Sequence, residues 1–174
     1  MKVIFLDFDG VINNWKHFDG VDYENVKFLL DIINETNALV VATSSTKYSF
    51  QRNLEKDYKD TNYFRYVSIL NNLGVNIFDV TPYVNGDREL EILEYLNIHK
   101  EIEQFLILDD DYVFSSLLEH QVFLDLYNGI CNEHVKPSVD ILNGKLGFYP
   151  DSFNFNETVM ERVLRINKYH MKNK

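Results

Sequence analysis

Cysteine is almost missing from this chain: Cys131 stands alone, so no intrachain disulfide can form and a reducing compartment is expected. The residues around it offer no partnered histidine context, which sets a nucleophilic thiol aside. Long apolar runs are missing as well. No segment approaches the ~20 residues that a membrane helix needs, and the N-terminus enters an apolar stretch without the basic region, apolar run and cleavage site of a signal peptide. A soluble, cytoplasmic protein without membrane attachment is therefore expected. Basic residues are the minority, 17 Lys and Arg against 27 Asp and Glu, for a formal net charge of −10. That balance argues against broad, phosphate-driven binding of nucleic acid, though not against a local basic patch. Repeats and low-complexity tracts are absent. The 174 residues read most simply as one domain, with a core over about 1–144 and a C-terminal helical extension over 145–174, large enough to fold without disulfide or structural metal.

What is present begins at residues 2–10, KVIFLDFDG. Val3, Ile4, Phe5 and Leu6 suit a strand buried on both faces, and the run then breaks into Asp7 and Asp9 flanking Phe8, with Gly10 permitting a sharp turn. Residues two apart share a face of a strand, so the two carboxylates are expected to project together from its carboxyl end. Carboxylates that close repel unless a cation or a shared proton relieves them.

Downstream the pattern alternates. A loop carrying Asn13, Asn14, Trp15, Lys16, His17 and Phe18 reads as a packed connection or as a flap over the aspartates. Asp22 caps a helix with Val26, Leu29, Leu30 and Ile33 inward. Residues 38–41 form a second strand ending in Ala42, Thr43, Ser44 and Ser45, hydroxyls that suit either a phosphate or the cap of the next helix. Residues 48–73 read as two helical pieces, with Phe50, Leu54 and Tyr58 in the first, Phe64, Val67 and Leu70 in the second, and a break near 60–62. A short strand over 77–80 follows. The next helix, over 87–96, is expected to turn Leu90, Leu93 and Leu96 inward, with Arg88 in its first turn, where the helix dipole disfavours a cation unless an anion lies near. Phe105 to Leu108 form another apolar strand, ending in Asp109, Asp110 and Asp111. Residues 122–124 make a last strand, Asn128 and Gly129 a turn, and Pro137 the first turn of a helix reaching Leu142. A final helix is expected to carry Val159, Val163 and Ile166 and to end in Lys168, His170, Lys172 and Lys174.

Strand, helix and strand in alternation predict an α/β fold, a three-layer Rossmann-like arrangement with a mainly parallel central sheet flanked by helices. Parallel strands would bring Asp7, Asp9, the Thr43 cluster and the acidic triplet to one carboxyl edge, where such sheets place ligands.

DFDG after the first strand, ATSS after the second, Arg88 at a helix start and LDDD after a later strand together resemble the four motifs of the haloacid dehalogenase (HAD) superfamily, over residues 2–142. The order differs from that of response-regulator receivers, whose phosphorylated aspartate follows a later strand. ATSS followed by Lys47 and Tyr48 is similar to the second motif of short HAD domains of RNA-repair proteins. The resemblance implies an HAD-like fold without a large cap and a Mg²⁺-dependent phosphomonoesterase. Asp7 would be the nucleophile that forms an aspartyl-phosphate, and Asp9 the acid and base. Thr43 and Arg88 would hold phosphate oxygens, with Ser44 the alternative to Thr43. Asp7, the Asp9 backbone carbonyl and Asp109 would bind the metal with Asp110 in support, Asp111 being the other candidate. Arginine at the third motif departs from the usual lysine, a fork in place of a point charge. An open site suits phosphorylated small molecules or the phosphate ends of nucleic acid or protein, and Trp15 and Phe18 are placed to stack on a base. The competing readings are a catalytically weak HAD-fold interaction module and a DxD glycosyltransferase. The latter is disfavoured because its motif would normally follow a nucleotide-binding region.

Overall fold

Short runs of β-branched and large apolar residues bounded by turn formers dictate five strands. The computed structural model describes residues 1–16, 20–51, 61–111 and 117–145. Strands β1 (Lys2–Leu6), β2 (Leu39–Ala42), β3 (Ile77–Val80), β4 (Gln104–Asp109) and β5 (Gln121–Phe123) form one sheet in the order β3-β2-β1-β4-β5, and every pairing is parallel. Helices α1 (Tyr23–Thr36), α2 (Tyr48–Gln51), α3 (Asn62–Asn72), α4 (Arg88–Ile98) and α5 (Asn132–Leu142) supply the crossovers.

Alternation along each strand divides the core between two faces. Ile4, Leu6, Val40, Ala42, Leu106 and Leu108 pack with residues of α1, α3 and α5, whereas Val3, Phe5, Val41 and Ile107 meet Ile92 and Tyr95 of α4. The result is a three-layer α/β Rossmann-like domain. From β1 the chain winds outward through β2 and β3, then returns to the other flank of β1 with β4 and β5. The direction of winding reverses between β1 and β4, and that reversal point is where sheets of this kind hold a crevice at their carboxyl ends. Leu6 pairs with Leu108, so the next residues, Asp7 and Asp109, emerge side by side.

Three expectations are corrected. Leu90 and Leu93 of α4 are exposed, while Glu91, Ile92 and Tyr95 are buried and Leu96 is half-buried. The helix turns this way because Ile92 and Tyr95 close the second core, Tyr95 lying edge-on to Phe5 at 5.7 Å, and full burial of such side chains is worth ~1.5–3 kcal/mol each. Pro137 lies inside α5 and not in its first turn. The helix starts earlier because His134 Nδ1 accepts the N–H of Cys131 (3.0 Å) and satisfies a donor at the helix start. The same contact gives Cys131 a histidine neighbour, with Sγ 3.3 Å from His134 Nδ1. Burial nevertheless raises the thiol pKa, the reverse of what a nucleophilic cysteine needs.

The other elements follow the pattern of the sequence. Asp22 caps α1, accepting the Glu24 N–H at 2.9 Å, and Val26 and Leu29 are buried beneath it. His17, Phe18, Leu54, Tyr58, Val159, Val163, Ile166, Lys168, His170, Lys172 and Lys174 lie outside the described residues, as does the side chain of Phe50. Among the described residues no helix is long and apolar enough to cross a membrane.

Candidate active site

The strand pattern ends at Leu6, and from there a tight turn sets the directions of the carboxylates. The Phe8 carbonyl accepts the N–H groups of Val11 and Ile12 at 3.3 and 3.0 Å, while the Phe8 N–H donates to Asp7 Oδ1 at 2.8 Å. Gly10 completes the turn at φ +70°, and a Cβ there would overlap the carboxyl group of Asp110. Glycine is thus required twice over, by the backbone and by an aspartate that leans on it.

Asp7, Asp109 and Asp110 each offer a carboxylate oxygen within 4.8 Å of the others. Arg88 Nη1 lies 3.1 Å from Asp7 Oδ2 and donates also to Asp109 Oδ2. The cation at a helix start, unfavourable on dipole grounds, therefore has two anions beside it. Burial opposes the charge of Arg88, but Asp7 and then Asp109 outweigh it, and its pKa is raised. The acids respond in kind. Burial first and the Asp7 charge second push Asp110 up to about 6, and the same two causes raise Asp109 against the opposing pull of Arg88. Clustered carboxylate oxygens of this kind could hold a hard divalent cation.

Asp9 is directed elsewhere. Its Oδ1 accepts from Asn13 Nδ2 at 2.8 Å and from the hydroxyl of Tyr66 at 3.0 Å, and its side chain stands outside the three-carboxylate group. Burial, then Asp9, pushes the Tyr66 phenol up to about 12, so that it stays a donor. Asp111 is exposed; its N–H donates to Asp109 Oδ1 at 2.9 Å.

The two hydroxyls after β2 differ sharply. Ser44 Oγ accepts from Thr46 Oγ1 at 3.1 Å and from the Thr46 N–H at 3.4 Å, capping the short turn Ser45–Lys47. Thr43 is fully buried, and its Oγ1 has no hydrogen-bond partner among the described residues. A buried hydroxyl left that way costs on the order of 1–3 kcal/mol, a cost that an incoming acceptor would relieve.

Three residues take roles that the sequence reading did not assign to them. Lys47 is fully buried and bonds Glu91 Oε2 at 2.6 Å, Thr81 Oγ1, and the Thr43 carbonyl at 3.4 Å. Asn13 and Tyr66 hold Asp9. Only the spacing of Asn13, four residues after Asp9, offered a local signal; Tyr66 arrives from a helix 57 residues away. Trp15 is 61% exposed and faces Tyr127, ring centroids 6.0 Å apart. Its backbone N–H donates to the Leu126 carbonyl at 3.3 Å, tying the loop that follows the DFDG turn to the segment that carries Tyr127.

Among known families, that of the HAD domain in Swiss Army Knife RNA repair proteins matches residues 3–135. No curated protein and no solved structure matches the chain.

Proposed function

The chain belongs to the HAD domain family of Swiss Army Knife RNA repair proteins, and from that premise we propose that it is a Mg²⁺-dependent phosphomonoesterase working through an aspartyl-phosphate. The observation that carries this reading is the convergence of Asp7, Asp109 and Asp110 with Arg88 at the point where the sheet reverses direction.

Asp7, Asp109 and Asp110, with the Asp9 carbonyl, would hold the ion, which when bound supplies positive charge against the phosphate and the developing negative charge. An Asp7 oxygen bonds to phosphorus as the ester P–O bond breaks. The electron pair leaves with the ester oxygen, which takes a proton from Asp9. Water then attacks phosphorus and gives a proton to Asp9. The bond between phosphorus and the Asp7 oxygen breaks, restoring the carboxylate and releasing inorganic phosphate. Thr43 Oγ1 and Arg88 hold the non-transferring oxygens. Ser44 shapes the loop that presents Thr43.

For the substrate we favour the phosphate ends of nucleic acid over small phosphate esters. Trp15, in the loop that follows the DFDG turn, and Tyr127 pair their rings at the exposed surface, and stacking of one base is worth ~1–3 kcal/mol. The deciding experiment is hydrolysis of p-nitrophenyl phosphate by the wild type and Asp7→Asn, each with Mg²⁺ and with chelator. Activity that needs both the metal and Asp7 is expected; turnover retained in Asp7→Asn removes the proposed nucleophile. Faster release of phosphate from a phosphorylated oligonucleotide than from a sugar phosphate, with the advantage lost in Trp15→Ala, would support the substrate class. The tie of Arg88 to both Asp7 and Asp109 favours one second reading, a catalytically weak binding module, for which the wild type would bind Mg²⁺ without turnover.

A further inference from the structure

Among the described residues Asp9 accepts two side-chain hydrogen bonds, and both fall on the same oxygen. Asn13 Nδ2 donates to Oδ1 at 2.8 Å and the Tyr66 hydroxyl donates to Oδ1 at 3.0 Å, while among the described residues Oδ2 accepts none. The donors are themselves locked together. Asn13 Nδ2 also donates to the Tyr66 oxygen at 3.0 Å, which leaves the phenol hydrogen for Asp9. The orientation of the Asn13 amide is settled by its other end, since Oδ1 accepts the Gly10 N–H at 2.8 Å. Asn13 is 2% exposed. The Tyr66 ring lies 5.2 Å from that of Phe8, the residue between the two aspartates, and Tyr63, one helical turn earlier, stacks on Phe8 at 5.7 Å. Helix α3 is thereby braced against the DFDG turn through aromatic contacts, and one hydroxyl reaches past them to the carboxylate.

We propose that Tyr66, with Asn13, is a positioning residue that pins Asp9 by Oδ1 and presents Oδ2 to the ester oxygen and then to the attacking water. This rests on the phosphoryl-transfer reading above. With Oδ1 held as an acceptor throughout, Oδ2 is the atom that gives its proton to the departing oxygen as the P–O bond breaks and takes one back from water in the second step. A carboxylate free to rotate would lose that geometry in part of its population, and positioned proton transfer contributes typically ~10²–10⁴-fold to rate.

The clamp predicts a dependence on leaving group that a merely structural bond would not produce. Phenolate needs a proton as it departs far more than p-nitrophenolate does, and the two phosphate esters are close in shape. In Tyr66→Phe, which keeps the ring and its packing on Phe8, kcat/KM for phenyl phosphate is expected to fall about tenfold or more, while that for p-nitrophenyl phosphate falls by less than about threefold. In an Asp9→Asn background the same substitution should change neither value further, because the group it positions no longer carries a transferable proton. An equal loss on both esters, or an undiminished effect in Asp9→Asn, overturns the positioning role while leaving the phosphatase standing. A wild type that hydrolyses neither ester with Mg²⁺ present overturns the phosphatase reading, and this inference with it.

Discussion

Replacing Lys47 by methionine should be among the most destabilising single changes available near the site. The side chains of Lys47 and Glu91 are both fully buried, with Nζ and Oε2 2.6 Å apart. Burial lowers the Lys47 pKa to about 8 even though Glu91 pulls the other way, so the pair sits where unpaired charge is poorly tolerated. Removing one partner of such a pair typically costs ~3–5 kcal/mol, a large part of the ~5–15 kcal/mol that stabilises a domain. Glu91 Oε1 also accepts the Val84 N–H at 3.2 Å. In the double variant Lys47→Met, Glu91→Gln, the amide oxygen keeps that bond and no charge is stranded, so at least about 2 kcal/mol should return. Urea unfolding of the wild type, both single variants and the double, with m-values compared, measures the cycle. A Lys47→Met protein less than about 1 kcal/mol below wild type, or a double variant no better than the single, would refute the reasoning. The pair also links function to fold: Lys47 ends the short turn that follows Thr43 and Glu91 follows Arg88 by one helical turn, so the lysine joins the two segments that carry the proposed phosphate ligands.

Thr43→Val should leave stability within about 1 kcal/mol of wild type or raise it, because the hydroxyl lost has no partner among the described residues, yet competitive inhibition by inorganic phosphate should weaken by about tenfold; unchanged inhibition would remove Thr43 from the phosphate site. Gly10→Ala places a side chain at φ +70° against Asp110, so it should cost ~1–2 kcal/mol from the backbone alone and lower Mg²⁺ affinity by calorimetry; a melting temperature equal to wild type would contradict the turn geometry. The Asp110 pKa is raised, so the stability tied to its protonation is fully present below the unfolded value and is lost as pH rises through about 6. Between about pH 5 and about pH 7.5 the metal-free protein should therefore lose on the order of 1 kcal/mol relative to Asp110→Asn, after allowance for solvent screening of a half-buried carboxyl. Saturating Mg²⁺ should abolish that difference in thermal melts, and a relative gain over the same window would reverse the assignment.

Residues 3–6 and 105–108 spoke clearly because a strand buried on both faces needs an unbroken apolar run, and few other structures do. The acids that end those runs followed at once, since parallel strands share a carboxyl edge. Helix α4 was legible as a helix but not in its orientation. Leu90, Leu93 and Leu96 form a plausible apolar stripe, and nothing local says that Glu91 will be buried beside Ile92 and Tyr95 to meet a lysine 44 residues away. The role of Lys47 is hidden for the same reason: it stands in the sequence beside ATSS, but its burial is explained only by a partner on another element. Tyr66 is a further case. Its spacing from Tyr63 marks one face of α3, but the ring's neighbour is Phe8 and the hydroxyl's is Asp9, contacts that only the packed fold defines.

The charge balance of the site bears on how an acidic chain would hold the proposed phosphate and why it would need help to do so. Lys47 is answered by Glu91, which leaves Arg88 as the cation bonded to Asp7 and Asp109. Two ionised carboxylates within 4.8 Å repel by about 3 kcal/mol at an effective dielectric near ~20. Asp109 and Asp110 relieve that repulsion by holding their protons to higher pH. A phosphate monoester brings further negative charge to the same edge and worsens the balance. In the proposed reading a divalent cation held by the three carboxylates would reverse it, favouring the ionised forms of Asp109 and Asp110 and attracting the ester. Arg88 would then be relieved as their counter-charge and free to turn its fork to the oxygens of the proposed phosphate substrate. The net charge of −10 is no obstacle to this, because beyond about 10 Å at ordinary ionic strength the exposed surface carboxylates are largely screened from the site.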